Sequence, residues 1–244
     1  MRRRGNADNP ARRADARHSS LGRAPRSGLG EWPTLIASLS LLLASEVQAM
    51  ESTGSSWSTL SGKTVGLGQT VILGQAGWPG FSATLLHGLA PALDLGAKLT
   101  FNYGEEGIVT QIVPGIKVQA VARVTFFDNE KLNLGMRFEP GPLVYFTSFE
   151  TTAGLALPVG LQLGISLSSA FLLSVGVDAP VFRTFGAAGG WVFPILFGGG
   201  LEYFVAPDLA ATFKVEIGPA VDTRGFRPIS NLALEGLFGI AYRL

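Results

Sequence analysis

The chain has 244 residues, of which 47% are hydrophobic and only 15% are charged, against about 25% charged in an average soluble domain. It contains no cysteine, which excludes a disulfide framework, a thiolate metal site and a lipid anchor carried on cysteine. The net charge is +1, and many of the basic residues are arginines in residues 1–30. The rest of the chain has no basic patch of the kind that nucleic-acid binding requires. The composition is apolar for a water-soluble domain, and no nucleic-acid partner is expected.

Residues 1–49 are predicted to be a leader that contains a secretory signal peptide. Eight arginines lie in residues 1–30, an apolar run of ten follows at 35–44, and Val47 and Ala49 stand in the spacing of a cleavage site. The apolar run is too short to span a bilayer, which takes about 20 helical residues. We therefore place cleavage after Ala49. Residues 50–62 are rich in Ser, Thr and Gly and are predicted to be a flexible lead-in.

From residue 63 onward, the hydrophobic pattern has a period of two. Between Glu150 and Asp178 no residue is charged, which raises the alternative of a transmembrane helix and hence a polytopic helical protein. Within that stretch, however, every odd position of 155–165 is large and apolar, while the even positions include Pro158 and two glycines. Strict alternation indicates a strand. The same alternation recurs at 93–103, 116–126, 132–138 and 209–217.

The connections between these strands are of two kinds, short and long, which alternate along the chain. Short turns are predicted at 90–94, 127–131, 167–169 and 206–208, and long links at 103–115, 139–154, 179–190 and 218–228. Short turns on one side and long loops on the other are typical of a membrane β-barrel. With a first hairpin around 74–80, we predict an all-β, closed, antiparallel up-and-down barrel of about 10 strands, with 8 to 12 possible.

The chain ends on an alternating strand, "LEGLFGIAYRL", that runs to its last residue. A strand of this kind needs a partner, and residues 63–73 are predicted to be the first strand that pairs with it, so that the barrel leaves no free edge.

On these features, residues 63–244 resemble the small meander barrels of the bacterial outer membrane, the OmpA/OmpW-like superfamily. The resemblance implies a Gram-negative source, a location in the cell outer membrane, contact with outer-membrane lipid, and recognition of the last strand by the barrel-assembly machinery. It also implies that a C-terminal insertion signal is formed by Phe238, Gly239, Ile240, Tyr242 and Leu244. The final residue departs from the family pattern, because it is Leu instead of Phe or Trp.

The strand face opposite the apolar one is predicted to line the lumen. By parity it carries a charge network that consists of Asp94, Lys98, Lys117, Arg123, Arg137, Glu139, Asp178, Glu202, Lys214, Glu216, Glu235 and Arg243. We expect ion pairs, because buried charges must be paired or solvated. Arg243 is predicted to lie near Asp94. The network is interpreted as structural filling, and the alternative is a narrow, porin-like aqueous path.

No catalytic, cofactor or metal site is predicted. The sequence "SGKT" at 61–64 has Trp57 where a phosphate-binding loop needs glycine. His87 shares the parity of apolar neighbours, which places it on the lipid side or near the periplasmic interface, without a partner that the sequence can identify. The stretch 190–197 is apolar on both parities and predicts either a strand that packs on residues such as Leu143 above the membrane, or a pocket for a small apolar ligand.

The sequence therefore predicts a non-enzymatic outer-membrane barrel with a structural or surface-binding role. The alternative is a narrow channel or uptake barrel for small or apolar solutes. A lipid-modifying or protease barrel is the third alternative.

Overall fold

From Thr70 onward the chain consists mainly of β-strands in the part that the computed structural model describes, which is residues 56–106, 112–146, 151–186, 189–225 and 228–244. The predicted leader and its cleavage site lie outside these residues. The first seven strand segments are β1 (Thr70–Trp78), β2 (Gly80–Ala90), β3 (Leu93–Asn102), β4 (Gly115–Asp128), β5 (Leu132–Phe138), β6 (Gly141–Phe146) and β7 (Thr151–Ala156). The others are β8 (Val159–Ser166), β9 (Phe171–Ala179), β10 (Phe182–Thr184), β11 (Gly190–Pro194), β12 (Leu196–Ala206), β13 (Leu209–Asp222) and β14 (Ile229–Arg243). Among the described residues, none belongs to a helix long and apolar enough to cross a membrane.

The segments close into a barrel of 10 antiparallel strands. Four barrel strands consist of two segments each, namely β5 with β6, β7 with β8, β9 with β10, and β11 with β12. On the two sides of each gap, the segments pair with their neighbours in the same register. The ring closes where β1 pairs with β14, from Val71 opposite Arg243 to Trp78 opposite Gly236. The predicted closed up-and-down barrel, and the pairing of the first strand with the last, are confirmed.

Prolines interrupt the four divided strands. Pro140, Pro158 and Pro180 lie in three of the gaps, and Pro194 precedes the fourth. Proline has no N–H to donate, so the hydrogen-bond ladder breaks while the chain remains extended. The register on either side places Pro158 opposite Pro180, and Pro180 opposite Pro194. Together with Pro219 on β13, these prolines form a contiguous row across five neighbouring strands, here called the proline row.

Three predicted long links are shorter than expected, because much of each is strand. Residues 139–154 contain β6 and most of β7, residues 179–190 contain β10, and residues 218–228 contain the end of β13. The glycines and prolines that predict loops here instead lie in the wall or beside the proline row. The wall therefore continues beyond the length that the pattern predicts.

The two ends of the barrel differ. At one end, here called the turn end, β1 begins, β14 ends, and short connections lie close to the predicted turns, for example Pro207 and Asp208 between β12 and β13. At the opposite end, the loop end, Pro79 alone joins β1 to β2, and longer connections join the other hairpins. The single residue Pro79 departs from the predicted alternation of short and long connections, and the predicted long links at 139–154 and 179–190 are shorter than expected.

The outer face of the wall is apolar. Leu99, Val118, Phe197 and Ile240 are each more than half exposed on outward positions of four strands, whereas charged side chains on the inward positions are buried. Large apolar side chains in such a continuous exposed belt require surroundings other than water. This is the arrangement of a transmembrane β-barrel, with an apolar exterior and a polar interior.

The first strand begins later than predicted. The sequence predicts a strand over 63–73, but β1 begins at Thr70, and residues 57–65 lie inside the barrel. Alternation alone cannot distinguish the buried segment from the strand that follows it, because Val65 and Leu67 also lie at strand spacing. Nothing in that spacing shows that Val65 is buried against the inside of the wall.

The apolar outward face predicts that the stability cost of an outward arginine depends on its depth in the bilayer. Val215 and Val221 lie on β13, are 40% and 38% exposed, and point outward. With a rise of about 3.3 Å per residue and a tilt of about 40°, Val215 lies about 15 Å and Val221 about 30 Å from the start of β13. We expect Val215→Arg to cost about 2–4 kcal/mol of stability and Val221→Arg at most about 1 kcal/mol.

The measurement is urea unfolding of the two variants in phospholipid vesicles, followed by tryptophan fluorescence. Because the substitution, the strand and the exposure are matched, Val221→Arg is the control for Val215→Arg. Equal stabilities of the two variants would contradict the placement of Val215 in hydrocarbon.

Candidate functional site

The lumen at the turn end is occupied by the chain itself. Residues 57–65, here called the plug, pass inside the wall, and all of them except Lys63 are buried. The prediction of a flexible lead-in over 50–62 is wrong for its described part: Trp57–Gly62 is a buried peptide with fixed hydrogen-bond partners. The Ser, Thr and Gly residues that are typical of linkers are also small and polar enough to fit a narrow, charged lumen.

Two charged side chains of the wall hold the plug backbone. Glu202 on β12 accepts hydrogen bonds from the Thr59 backbone N–H at 2.8 Å, from the Thr59 hydroxyl at 2.7 Å and from the Ser58 hydroxyl. On β4, Arg123 donates to the carbonyls of Ser58 at 3.0 Å and of Ser61 at 2.9 Å, and also to that of Lys63. Hydrogen bonds to charged groups contribute more than neutral ones, so these two residues are the main polar anchors of the plug.

Trp57 is the apolar anchor. Its ring is 1% exposed and packs with inward residues that include Val71, Leu86 and Ala241. The ring lies edge-on to Phe204 at 5.2 Å between centroids, and its Nε1 donates to the Pro207 carbonyl at 2.9 Å. The plug therefore buries a large aromatic surface against the wall as well as satisfying its own backbone.

Arg243 and Asp94, which are predicted to be neighbours, have other partners. The Arg243 guanidinium lies over the Trp57 ring and donates to the Ser56 hydroxyl and the Pro207 carbonyl. Asp94 is fully buried, accepts a hydrogen bond from the Val65 backbone N–H and pairs with Arg123 at 3.5 Å. Both residues thus contact the plug, which the sequence does not place in the lumen.

Glycines of the wall make room for the plug. A Cβ on Gly135 would lie 2.5 Å from the Gly62 carbonyl oxygen, one on Gly164 2.6 Å from the Ser61 Cβ, and one on Gly200 2.8 Å from a Leu60 methyl. Two spaces beside Leu60, which Arg123 and Arg137 also line, have volumes of about 10 and 20 Å³. Each is about the size that one water molecule needs. The plug fills this level of the lumen.

The next level toward the loop end is a layer of buried ion pairs, here called the central charge layer. Lys214 contacts Asp178 at 2.6 Å, Glu235 at 2.7 Å and Glu216 at 3.0 Å. Arg137 contacts Asp178 at 2.8 Å and Glu139 at 3.3 Å, and Lys98 contacts Glu139 at 3.0 Å. Each cation therefore meets at least one carboxylate, which offsets part of the cost of burying it.

Beyond the central charge layer, apolar side chains point inward. Leu143, Tyr145, Phe182 and Val192 are each at most 2% exposed and pack together with Ala156, in what is here called the upper apolar layer. The segment 190–197 supplies Val192 to this layer, while Phe193 and Phe197 point outward. Val192 of this segment and Leu143 belong to the same buried cluster, in which Val192 lies opposite Phe182.

A second charged cluster lies at the loop end. Arg224 pairs with Asp222 at 2.6 Å and with Glu105, and Lys117 pairs with Glu106. Burial raises the pKa of Glu105, and the hydrogen bond from Arg224 only partly opposes it. Glu105 therefore takes up a proton more readily than an exposed glutamate. Sequence reasoning includes Lys117 among the lumen residues but misses the other members of this cluster, because it assigns them to loops.

The remaining predicted residues lie on the wall. Phe238, Ile240, Tyr242 and Leu244 are 66%, 63%, 45% and 64% exposed on the outside of β14, whereas a Cβ on Gly239 would lie 2.6 Å from the Gly74 carbonyl oxygen. His87 is exposed on the outside of β2, with its Nδ1 3.0 Å from the Thr70 hydroxyl. Within the described parts of the chain, no group of His, Asp and Glu side chains is arranged to hold a metal ion.

Comparison with known proteins gives structural neighbours only. No protein-family model and no curated protein matches the chain. Among solved structures, it is similar to the outer membrane protease OmpT from Escherichia coli, with 9% identity and a TM-score of 0.43, over 72% of this chain and 96% of that chain. It is also similar to the KdgM porin, with 12% identity and a TM-score of 0.33, over 71% of this chain and 98% of that chain.

The contacts of the plug predict how accessible it is. Because the chain has no cysteine, Ser61→Cys introduces a single thiol at a position that is 3% exposed. We expect this thiol to resist a maleimide reagent in the folded barrel. Adding Arg123→Gln removes charged hydrogen bonds to the plug and should speed labelling by about tenfold or more.

Two controls define this measurement. Lys117→Gln removes a lumen cation at the opposite end and should leave the labelling rate of Ser61→Cys unchanged, and Ser168→Cys, in an exposed turn, should react at once. Rapid labelling of Ser61→Cys in the otherwise unchanged barrel would show that the plug does not stay in the lumen.

Proposed function

We propose that the chain is an integral outer-membrane protein of the small meander type with a structural or surface-binding role and no catalytic one. Its secretion would depend on the leader, with cleavage near Ala49. The observation that carries the role is the filled lumen: the plug occupies the turn end, and the spaces that remain beside Leu60 measure about 10 and 20 Å³. A lumen filled in this way favours a structural role for the barrel over a role as a channel for solutes.

The outward surface supports a membrane setting for this role. Apolar side chains cover the outside of the strands, and β6, β7, β10 and β11 continue the wall beyond the proline row. This extension offers a rigid platform above the bilayer on which surface binding could take place. The proposed partners are outer-membrane lipid around the belt and the barrel-assembly machinery, which would read the outward residues of β14.

Neither a small apolar ligand nor catalysis is part of the proposed role. The inward Val192 of segment 190–197 already belongs to a buried cluster with Leu143 and Phe182, and Leu196 packs with Ala220 and Ala233, so a ligand would have to displace those contacts. His87 lies on the outside of the wall near the turn end, away from the loop-end cluster of charges. Loss of a measured activity on His87→Ala would overturn the non-catalytic role.

The membrane location predicts heat-dependent mobility. A closed barrel resists detergent at room temperature, so we expect the unheated protein to run at a different position from the boiled protein in a denaturing gel. The cell fraction that contains it should be the outer membrane. Absence of a mobility shift, together with recovery in the soluble fraction, would contradict the proposal.

The filled lumen predicts that the barrel does not conduct ions. We expect the purified full-length protein to insert into planar bilayers without discrete current steps, because the spaces beside the plug hold about one water each. A porin inserted under the same conditions is the positive control. Reproducible unit steps from this protein would favour the alternative, a narrow channel or uptake barrel.

A further inference from the structure

One arginine of the wall points outward. The exposed side chain of Arg183 on β10 lies between two aromatic rings, with its Cζ 5.5 Å from the Trp191 ring and 5.8 Å from the Phe185 ring. No acidic residue in the described ranges forms a salt bridge with it. In contrast, the cations of the central charge layer point inward and are paired. Arg183 therefore offers an unneutralised, pre-oriented guanidinium on the outside of the barrel.

The height of Arg183 on the wall can be estimated along its own strand. β9 and β10 keep one register past Pro180, so Arg183 lies about 12 residues above Phe171, whose ring stacks on Tyr203 beside the turn end. A rise of about 3.3 Å per residue at a tilt of about 40° converts this to about 30 Å. The apolar band of such barrels is about 25 Å tall. Arg183 is thus placed just above the band, at the level of lipid headgroups.

An apolar groove runs along the same two barrel strands below Arg183. It has a volume of about 720 Å³ and is lined by β9 and β12, with Val175, Val177, Phe197 and Leu201 among its side chains. Its floor includes Gly199, which lies opposite Val175 and Val215 and has no side chain to fill the space between them. Val177 lies about six residues below Arg183, or about 15 Å at the same rise and tilt. An acyl chain is long enough to cover this distance.

We propose that Arg183 and this groove form a binding site for a lipid of the outer leaflet whose headgroup carries a phosphate. The guanidinium donates paired hydrogen bonds to phosphate oxygens, and one acyl chain of the same molecule lies in the groove. The site rests on the proposed outer-membrane location, because it needs a bilayer around the belt. Lipid tails are as apolar as the groove, so the acyl chain is stabilised there by van der Waals packing and not by the hydrophobic effect. The phosphate contact therefore supplies most of the preference for this lipid over other lipids.

The test measures lipid binding to the purified barrel in detergent. Native mass spectrometry with diphosphoryl lipid A as the probe gives the bound fraction for the unsubstituted protein and for Arg183→Gln. One basic residue at a membrane surface contributes about 1 kcal/mol, so we expect Arg183→Gln to bind about fivefold more weakly. Lys131→Gln, which removes a cation from an exposed turn, is the matched control and should bind as the unsubstituted protein does.

A second pair of variants tests the groove. Val175→Trp fills it with an apolar side chain and should also lower the bound fraction, while Val118→Trp makes the same change on β4, outside the groove, and should have no effect. Equal binding by Arg183→Gln and the unsubstituted protein would overturn the phosphate contact. Equal binding by Val175→Trp and Val118→Trp would overturn the groove.

Inorganic phosphate and the mobility assay separate the remaining outcomes. We expect millimolar inorganic phosphate to leave lipid binding unchanged; displacement of the lipid would show a site for free anions and would overturn the lipid assignment. Every variant must retain the heat-dependent mobility shift. A folded Arg183→Gln barrel that binds the lipid normally would therefore refute this site alone, whereas an absent shift in the unsubstituted protein would refute the membrane location.

Discussion

The pairing of β1 with β14 is the constraint on which the rest of the structure depends. An apolar outer face has no water beside it to satisfy a free strand edge, so every backbone N–H and C=O of the wall must find a partner in a neighbouring strand. The last strand meets the first over Val71–Trp78, which leaves no edge at that seam. Closure then creates an interior that must itself be filled.

The filling of the lumen depends on side chains from many strands acting on one peptide. Arg123 reaches three carbonyls of the plug and also pairs with Asp94, while Glu202 receives three donors from Ser58 and Thr59. A charge buried in this way would be costly if its partners left, because it would remain unpaired. The plug and the wall are therefore mutually dependent: the plug satisfies wall charges, and the wall satisfies the plug backbone.

The sequence predicts the wall well and the interior poorly, for physical reasons. Strand alternation is a local property, so the faces of β3, β4 and β13, the turns between strands and the closing pair all follow from it. The ion-pair partners do not, because Arg224 and Glu105, or Lys214 and Asp178, meet only through the register of a closed ring. Residues 57–62 mislead in another way: their composition is typical of a flexible linker, and Trp57 is the signal that could have indicated a buried anchor.

The proline row marks a change in the driving force for packing. Next to the row on its turn-end side, inward residues such as Glu139, Asp178 and Glu216 are charged, and the apolar residues of the same strands face outward. Past the row, Leu143, Phe182 and Val192 turn inward and form the upper apolar layer. Lipid outside the wall removes the advantage of burying apolar groups inside, whereas water outside restores it. The segment 190–197 crosses this boundary, which is why it is apolar on both parities: its outward residues continue the lipid-facing belt, and its inward residues belong to a core that water drives together.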